Sequence, residues 1–210
     1  MLTETCPRCG GRSHTPKGEL CWHCEERASV PKQPPVYERI LLETIPDRFR
    51  WATLDADELE RRVAGGRKRI DEALHAPNPN LVLSGKAGTG KTSLACAALR
   101  AWQHTKRVRV VFVAAHELAN ARMQHALGSG EAALVDRCGK ADLLLIDDLG
   151  SEPSSPPRSE IVDVIQRRHN FNLPIWITTG LVTAELTARY GFGIARRLLE
   201  HATVIRLEKP

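Results

Sequence analysis

Five short apolar runs recur along the chain from residue 81 onwards, and segments with helical spacing separate them. The runs are centred near residues 82, 110, 145, 176 and 205. They are rich in Val, Ile and Leu, which is typical of strands that are buried on both faces of a parallel sheet. The alternation of such runs with amphipathic segments predicts a right-handed, parallel α/β sheet wrapped by helices.

Helical segments are predicted on both sides of these runs. Thr92 to Trp102 follows the first run and carries apolar residues at helical spacing. Asp55 to Ala76 precedes it and is predicted as one helix, with Gly65 and Gly66 as its weak point. The other predicted helices are 37–44, 116–127, 131–138, 158–171 and 193–201.

A glycine-rich sequence lies between the first apolar run and its helix, where it fits the pattern G-x-x-x-x-G-K-[ST]. It consists of Gly85, Lys86, Ala87, Gly88, Thr89, Gly90, Lys91 and Thr92, with Ser93 next in the helix. Glycines let successive N–H groups turn inward around phosphate oxygens, and the positive end of the helix adds to the attraction. The Lys91 ammonium would contact the β- and γ-phosphates, and the Thr92 hydroxyl would bind Mg²⁺. The sequence therefore predicts an ATP site, and a glycine-rich turn without a ligand is the alternative.

The third run ends in two carboxylates, since Leu143 to Ile146 is followed directly by Asp147 and Asp148. Ligands of parallel sheets bind at the carboxyl ends of the strands. We therefore expect Asp147 to bind Mg²⁺, directly or through water, and Asp148 to polarise an attacking water molecule. The fourth run ends in Thr178 and Thr179, whose hydroxyls either contact the γ-phosphate or the attacking water, or only cap the strand.

Four of the six cysteines lie near the N-terminus as two C-x-x-C pairs: Cys6, Cys9, Cys21 and Cys24. Two such pairs at short range are the signature of a closed, structural Zn²⁺ site, and two disulfides are the alternative. The surrounding segment has few large apolar residues, so we expect it to need metal to fold. We predict a zinc-binding ribbon over residues 1–27, a proline-rich linker over 28–36 and the main domain over 37–210.

The net charge of +5 and pI near 9.0 are compatible with a nucleic-acid partner. A cluster of basic residues at 61–69 is either a solvated helix face or a DNA-facing patch. No apolar run approaches the length of a membrane span, and the first residues have no hydrophobic signal region. We therefore expect a cytoplasmic protein that does not associate with membranes.

Several motifs together resemble the AAA+ ATPases of the DnaC-type helicase-loader and IstB-type transposition-helper group. The motifs are IPDRFRWATL, GKAGTGKTSLA, LLLIDDLG, PIWITTGL and ARRLLEHATVIRL, and the resemblance covers about residues 45 to 208. It implies an AAA+ core with a five-stranded parallel sheet. The chain has almost nothing after the fifth strand, so the helical lid of larger AAA+ proteins is expected to be missing.

The resemblance also implies roles for individual residues. Lys91 and Thr92 match the Walker A pair, and Asp147 and Asp148 match the Walker B acids. Thr178-Thr179 falls on the strand that carries the polar sensor residue, where relatives have T-T-N. This chain has Gly180 in place of that asparagine, so efficient hydrolysis would depend on Thr179 as a substitute.

Arg197 matches the arginine finger that acts on the nucleotide of a neighbouring subunit, and Arg196 is the fallback. A finger used in trans implies an ATP-dependent homo-oligomer, for which single-stranded DNA is the expected scaffold. The ribbon would then be a module that docks onto a replicative helicase.

The leading hypothesis is an ATPase that binds ATP and Mg²⁺, oligomerises, and loads or remodels a DNA-bound partner, which would be a replicative helicase or a transposase. The alternatives are an IstB-type transposition ATPase, a nucleotide-binding switch with little hydrolysis, and a small-molecule kinase. Gly180 favours the switch. The paired aspartates and the arginines of residues 193–201 disfavour the kinase.

Overall fold

The computed structural model describes residues 4–5, 12–13, 36–76, 80–106, 108–126, 128–153 and 159–208. The chain divides into two compact units, Met1–Pro35 and Val36–Pro210. In the first unit, strands β1 (Glu4–Thr5) and β2 (Arg12–Ser13) pair in antiparallel orientation. The four cysteines that were predicted to bind zinc lie outside the described residues.

The second unit contains a five-stranded sheet in which every pair of neighbouring strands is parallel. Its strands are β3 (Leu81–Ser84), β4 (Val110–Ala114), β5 (Leu143–Leu149), β6 (Ile175–Thr179) and β7 (Thr203–Arg206). Their order across the sheet is β4-β5-β6-β3-β7. This confirms the α/β fold predicted from the five apolar runs. The order also places β6 between the strand before the glycine-rich sequence and the strand that ends in the aspartates.

Nine α-helices are described in this unit, together with a 3₁₀ turn at Asp47–Phe49. They are α1 (Val36–Thr44), α2 (Asp57–Arg62), α3 (Gly66–Leu74), α4 (Lys91–Lys106), α5 (Ala115–Asn120), α6 (Ala133–Lys140), α7 (Ser159–Asn170), α8 (Thr183–Tyr190) and α9 (Phe192–Leu199). Within the described ranges, no helix has the length and apolar character needed to cross a membrane.

The prediction of a single helix over Asp55 to Ala76 is wrong, because the structure has α2 and α3 with a break at residues 63–65. Val63 leaves helical geometry there, and Gly65 adopts the left-handed conformation with φ of 68°. The break brings Val63 into contact with Gly90 of the glycine-rich sequence. A Cβ atom on Gly90 would lie only 2.4 Å from Val63 Cγ2. The predicted helix 116–127 also ends early, at Asn120.

The sheet is covered on both faces, as continuous apolar strands require. One buried cluster contains alternate strand residues such as Val82 and Ile177 and packs against α5 to α9. The other contains their neighbours, such as Leu83 and Trp176, and packs against α1 to α4. Because helices cover both faces of the sheet, a ligand of the second unit is expected to bind at the carboxyl ends of the strands.

Candidate functional site

The candidate site lies at the carboxyl ends of β3, β5 and β6. The glycine-rich sequence Gly85–Thr92, hereafter the phosphate loop, connects β3 to α4, and Lys91 is the first residue of that helix. Asp147 and Asp148 belong to the end of β5, and Thr178 and Thr179 close β6. Parallel pairing therefore brings three separate segments of sequence to one edge of the sheet.

Close packing explains why the phosphate loop needs glycine at two positions. A Cβ atom on Gly85 would lie 2.2 Å from the main-chain oxygen of Leu207, and one on Gly90 would meet Val63. Both residues also have positive φ angles, 150° at Gly85 and 83° at Gly90, which side chains rarely tolerate. The loop backbone can therefore curl tightly between β7 and the break after α2.

The Lys91 side chain lies inside this loop. Its Nζ donates hydrogen bonds to the main-chain oxygens of Gly85 at 2.8 Å and Lys86 at 2.9 Å. Burial lowers the pKa of Lys91, and the nearby carboxylates of Asp148 and Asp147 oppose that shift. An ammonium held in this way is directed at whatever anion the loop surrounds.

The other loop residues predicted to bind nucleotide occupy two environments. Lys86, Ala87 and Gly88 are exposed at the outside of the loop. Thr89 is buried, and its hydroxyl donates to the main-chain oxygen of Lys86 at 2.9 Å. Ser93 is buried in the first turn of α4.

Asp147 is the polar centre of the site. Its Oδ1 accepts hydrogen bonds from the hydroxyls of Thr92 at 2.9 Å and Thr178 at 2.6 Å. Burial raises the pKa of this carboxyl, and the two hydroxyl donors partly offset the effect. A hydroxyl oxygen and a carboxylate oxygen at this separation form a ligand set that suits Mg²⁺, so the residues present fit the ion.

Asp148 differs from Asp147 in its backbone and in its exposure. It is exposed and has a φ angle of 55°, and the register of β5 against β6 is interrupted between Ile146 and Leu149. Its N–H donates to the Thr178 hydroxyl at 2.8 Å. Irregularities of this kind next to active sites re-aim a side chain, and this one turns the second carboxylate out of the sheet.

Thr178 and Thr179 have different roles. The Thr178 hydroxyl contacts both acidic residues, whereas Thr179 Oγ1 donates to the main-chain oxygen of Leu149 at 2.6 Å and accepts from the Leu181 N–H at 3.0 Å. The Thr179 hydroxyl is thus engaged with backbone and is fully buried. Gly180 lies beside the start of the phosphate loop, and a Cβ atom on Gly180 would be 3.9 Å from the main-chain oxygen of Gly85.

The two predicted finger arginines lie on α9. Arg197 is half-buried and donates from Nη1 to the main-chain oxygen of Gly193 at 3.0 Å. Arg196 is exposed and lies 3.6 Å from the Glu200 carboxylate. Among the residues that the structure describes, neither forms a hydrogen bond with the phosphate loop or with β5.

Three of the five basic residues at 61–69 pair with two carboxylates of the same unit, and Arg69 donates to the main-chain oxygen of Arg206. Arg61 and Arg62 pair with Glu58 at 2.7 and 2.6 Å, and Arg67 pairs with Asp55 at 2.7 Å. This favours a solvated helix face over a DNA-facing patch. Within the described residues, no group of three or more His, Cys, Asp and Glu side chains could hold a metal ion, and the cysteines predicted to bind zinc lie outside those residues.

Two further features were not predicted from the sequence. Helix α8 is held at its start by Glu185, whose carboxylate accepts from the Val182 N–H at 2.9 Å. Apolar Leu186 and Tyr190 then lie one turn apart on its buried face, and this spacing is the signal that could have revealed the helix. A cleft of about 740 Å³ runs from the phosphate loop past the start of α8 to β7.

The strand order and this site together define a P-loop AAA+ nucleotide-binding protein. A phosphate loop after the interior strand β3 faces the acidic end of β5 across one intervening strand, and helices cover both faces of the sheet. The family model described as IstB-like ATP binding protein matches residues 72–208. Since this is more than half of the chain, the protein belongs to the IstB-like ATP-binding family.

Solved structures with the same fold include a helicase loader and a replication initiator. The DnaC helicase loader has a TM-score of 0.65 and 26% identity, over 78% of this chain and 100% of that one. DnaI has a TM-score of 0.59 and 24% identity, and the match covers 79% of this chain and 92% of that one. The replication initiator DnaA bound to AMPPCP and single-stranded DNA has a TM-score of 0.60 and 20% identity, and the match covers 79% of this chain and 51% of that one. Comparison with curated protein sequences gives no significant match.

Proposed function

We propose that this protein is an ATPase that binds ATP with Mg²⁺, assembles on DNA, and loads or remodels a DNA-bound protein. The observation that supports this most directly is the hydrogen bond between Thr92 and Asp147. It joins the two predicted magnesium ligands across an intervening strand, next to a lysine already held inside the phosphate loop.

Each residue of the site has a task that follows from its position. Lys91 and the loop N–H groups bind the phosphate oxygens, and Thr92 and Asp147 hold the ion. Mg²⁺, when bound there, neutralises negative charge on the phosphate oxygens. Asp148 is exposed and aimed away from the sheet, so its carboxylate accepts a hydrogen bond from the attacking water and orients it.

A nucleotide-binding switch with slow turnover is the second candidate, and two observations favour it. Gly180 offers no side chain at the loop entrance, and the Thr179 hydroxyl is already engaged by Leu149 and Leu181. Thr179 would therefore have to break backbone hydrogen bonds to replace a missing sensor amide. Under this alternative, ATP controls assembly and is hydrolysed only rarely.

We further propose that the site is completed by a neighbouring subunit. Arg197 has no hydrogen-bond partner in the described phosphate loop or β5, and its Nε is buried without a partner. An arginine supplied in trans stabilises charge on the transferring phosphoryl group and makes turnover depend on assembly. The oligomer would be a ring or spiral of identical chains with head-to-tail contacts.

The similarity to the DnaC helicase loader over the full length of that structure supports a replicative helicase as the partner. The family description supports the transposition-helper role equally well, with a transposase as the partner. In either role we propose that the protein acts on single-stranded DNA in the cytoplasm. Residues 1–27 would form a zinc ribbon bound through Cys6, Cys9, Cys21 and Cys24, joined by residues 28–36 to the ATPase domain 37–210, and would contact the partner or the DNA.

Phosphate release from ATP, measured with and without single-stranded DNA, tests the proposal. We expect magnesium-dependent release that DNA stimulates and that Asp148→Asn reduces about 100-fold or more, with nucleotide affinity retained. Binding without release would support the switch. Release that Asp148→Asn leaves unchanged would contradict the role of that carboxylate.

A further inference from the structure

A buried carboxylate lies just beyond the acidic end of β5. The side chain of Glu152 is 0% exposed, although it sits in a loop between β5 and α7. Carboxylates are rarely buried so completely unless every oxygen is paired. The role of Glu152 therefore lies in the partners that it binds.

The partners of Glu152 come from two different parts of the site. Oε2 of Glu152 accepts a hydrogen bond at 2.9 Å from the N–H of Gly150, which lies two residues after Asp148 in the sequence. Oε1 accepts from Arg189 Nε at 2.9 Å and from the Tyr190 hydroxyl, and Arg189 also donates to the Glu152 main-chain oxygen. Burial and the adjacent carboxylate raise the pKa of Tyr190, so its hydroxyl remains a donor.

One side of this network is continuous with the acidic residues. The turn that follows Asp148 is closed by a hydrogen bond from the Ser151 N–H to the Asp148 main-chain oxygen at 3.0 Å. Asp148 itself has a left-handed backbone that is fixed through the Thr178 hydroxyl. The backbone of Asp148 is therefore joined to Glu152 by a short turn that two hydrogen bonds hold.

The other side leads directly to the arginines. Arg189 and Tyr190 are the last two residues of α8, and only Gly191 separates that helix from α9. The Ala195 N–H donates to the Gly191 main-chain oxygen at 3.1 Å, and Arg197 is bonded back to Gly193. The orientation of α9 thus depends on how the end of α8 is held.

We propose that Glu152 is a positioning residue that couples nucleotide occupancy at Asp147 and Asp148 to the placement of α9 and its arginines. The inference rests on the proposed function, because it assumes that ATP binds at the phosphate loop. Glu152 is bonded both to the turn after the acidic strand end and to the end of α8 before the arginine helix, and a coupling residue needs contacts on both sides.

Amide hydrogen exchange in the full-length protein tests the coupling without requiring assembly. The protein is kept at a concentration where light scattering shows a monomer, and ATP·Mg²⁺ is compared with ADP. In the unmodified protein we expect ATP·Mg²⁺ to change exchange at residues 191–199 about fivefold or more, the lower end of typical coupling between sites. Protection of residues 85–93 in the same sample reports nucleotide binding.

Glu152→Gln preserves the shape of the side chain but places a donor where an acceptor is required. We expect it to retain nucleotide affinity within about threefold, because none of the Glu152 hydrogen bonds described goes to the phosphate loop. The nucleotide response at 191–199 should disappear. Glu72→Gln, which changes an exposed carboxylate on α3, is the matched control and should retain the response.

Tyr190→Phe keeps the test decisive if Glu152→Gln fails to fold, because it removes one donor to Glu152 and leaves the ring and the Arg189 pair in place. It should weaken the response at 191–199 without loss of loop protection. A full response in both variants, or no response in the unmodified protein despite loop protection, would overturn the inference. Absence of loop protection would instead contradict ATP binding, and with it the proposed function.

Discussion

The Thr178 hydroxyl joins the two acidic residues of the site, since it donates to Asp147 and accepts from the Asp148 N–H. The sequence pointed to a polar strand end here but could not separate Thr178 from Thr179. The separation depends on the pleat of β6, which turns neighbouring side chains to opposite sides. At the level of single residues, Thr178 sets the geometry of the carboxylates, and Thr179 fixes the backbone around Leu149.

Thr178→Val should therefore destabilise the protein and weaken magnesium-dependent ATP binding. The valine has nearly the same shape but leaves the buried Asp147 carboxylate with one donor fewer and the Asp148 N–H unpaired. We expect a loss of about 1–3 kcal/mol in the free energy of unfolding, or about 3–10 °C in Tm. Thr187→Val removes a solvent-exposed hydrogen bond from the half-buried Thr187 to the Thr183 main-chain oxygen within α8, and it should change Tm by less than about 2 °C. Equal Tm values for the two variants would contradict the bridging role.

Lys91→Ala should weaken ATP binding about 10- to 100-fold, because it removes a charge-assisted contact to the phosphates. Titration of a fluorescent ATP analogue measures the change. Lys86→Ala is the matched control, since Lys86 belongs to the same loop but is exposed and contributes only its main-chain oxygen to the Lys91 contacts. Tight binding by Lys91→Ala would rule out the phosphate loop as the nucleotide site.

At the level of elements, a buried arginine ties two helices to two strands. Arg168 on α7 is 0% exposed and donates to the main-chain oxygens of Cys138, Ala141 and Pro174 at 2.8 Å each. These oxygens lie at the end of α6 and just before β5 and β6. Burial lowers the pKa of Arg168 to about 10, but its hydrogen bonds hold the charge in place.

Arg168→Met should lower the free energy of unfolding by about 3 kcal/mol or more, because it removes a charged donor from three main-chain oxygens, of which that of Pro174 keeps the Leu144 N–H. Its neighbour Arg167 is exposed, so Arg167→Met should change stability by no more than about 0.5 kcal/mol. Urea unfolding followed by circular dichroism compares the two. A similar midpoint for both variants would show that Arg168 does not hold these elements together.

The strands were predictable from the sequence because each is apolar on both faces, a pattern that few other structures produce. The order of the strands was not, since nothing in the apolar run of β6 shows that it lies between β3 and β5. Helix α8 was missed because only Leu186 and Tyr190 mark its buried face. Glu152 could not be distinguished from an exposed loop residue, because its partners Arg189 and Tyr190 lie far away in sequence.

At the level of the whole molecule, the site brings together the phosphate loop, Lys91, Thr92 and Asp147, but within the described residues no arginine is hydrogen-bonded to the phosphate loop. We therefore expect ATP·Mg²⁺ to drive assembly that ADP does not support. Light scattering should show a larger species with ATP·Mg²⁺, and single-stranded DNA should stabilise it.

Arg197→Ala should bind ATP normally but lose assembly or turnover. If Arg196→Ala has this effect and Arg197→Ala does not, the finger is Arg196.

The most direct test of the proposed trans-acting arginine mixes two inactive variants and measures phosphate release. At an ATP concentration well below its weakened Kd, the Lys91→Ala variant is largely without nucleotide but still offers Arg197, whereas Arg197→Ala binds ATP but lacks the arginine. If the arginine acts across a head-to-tail interface, mixing equal amounts should restore turnover to about a quarter of the unmodified level, since about one interface in four pairs them productively. A mixture that stays as inactive as its components would contradict action of Arg197 on a neighbouring nucleotide.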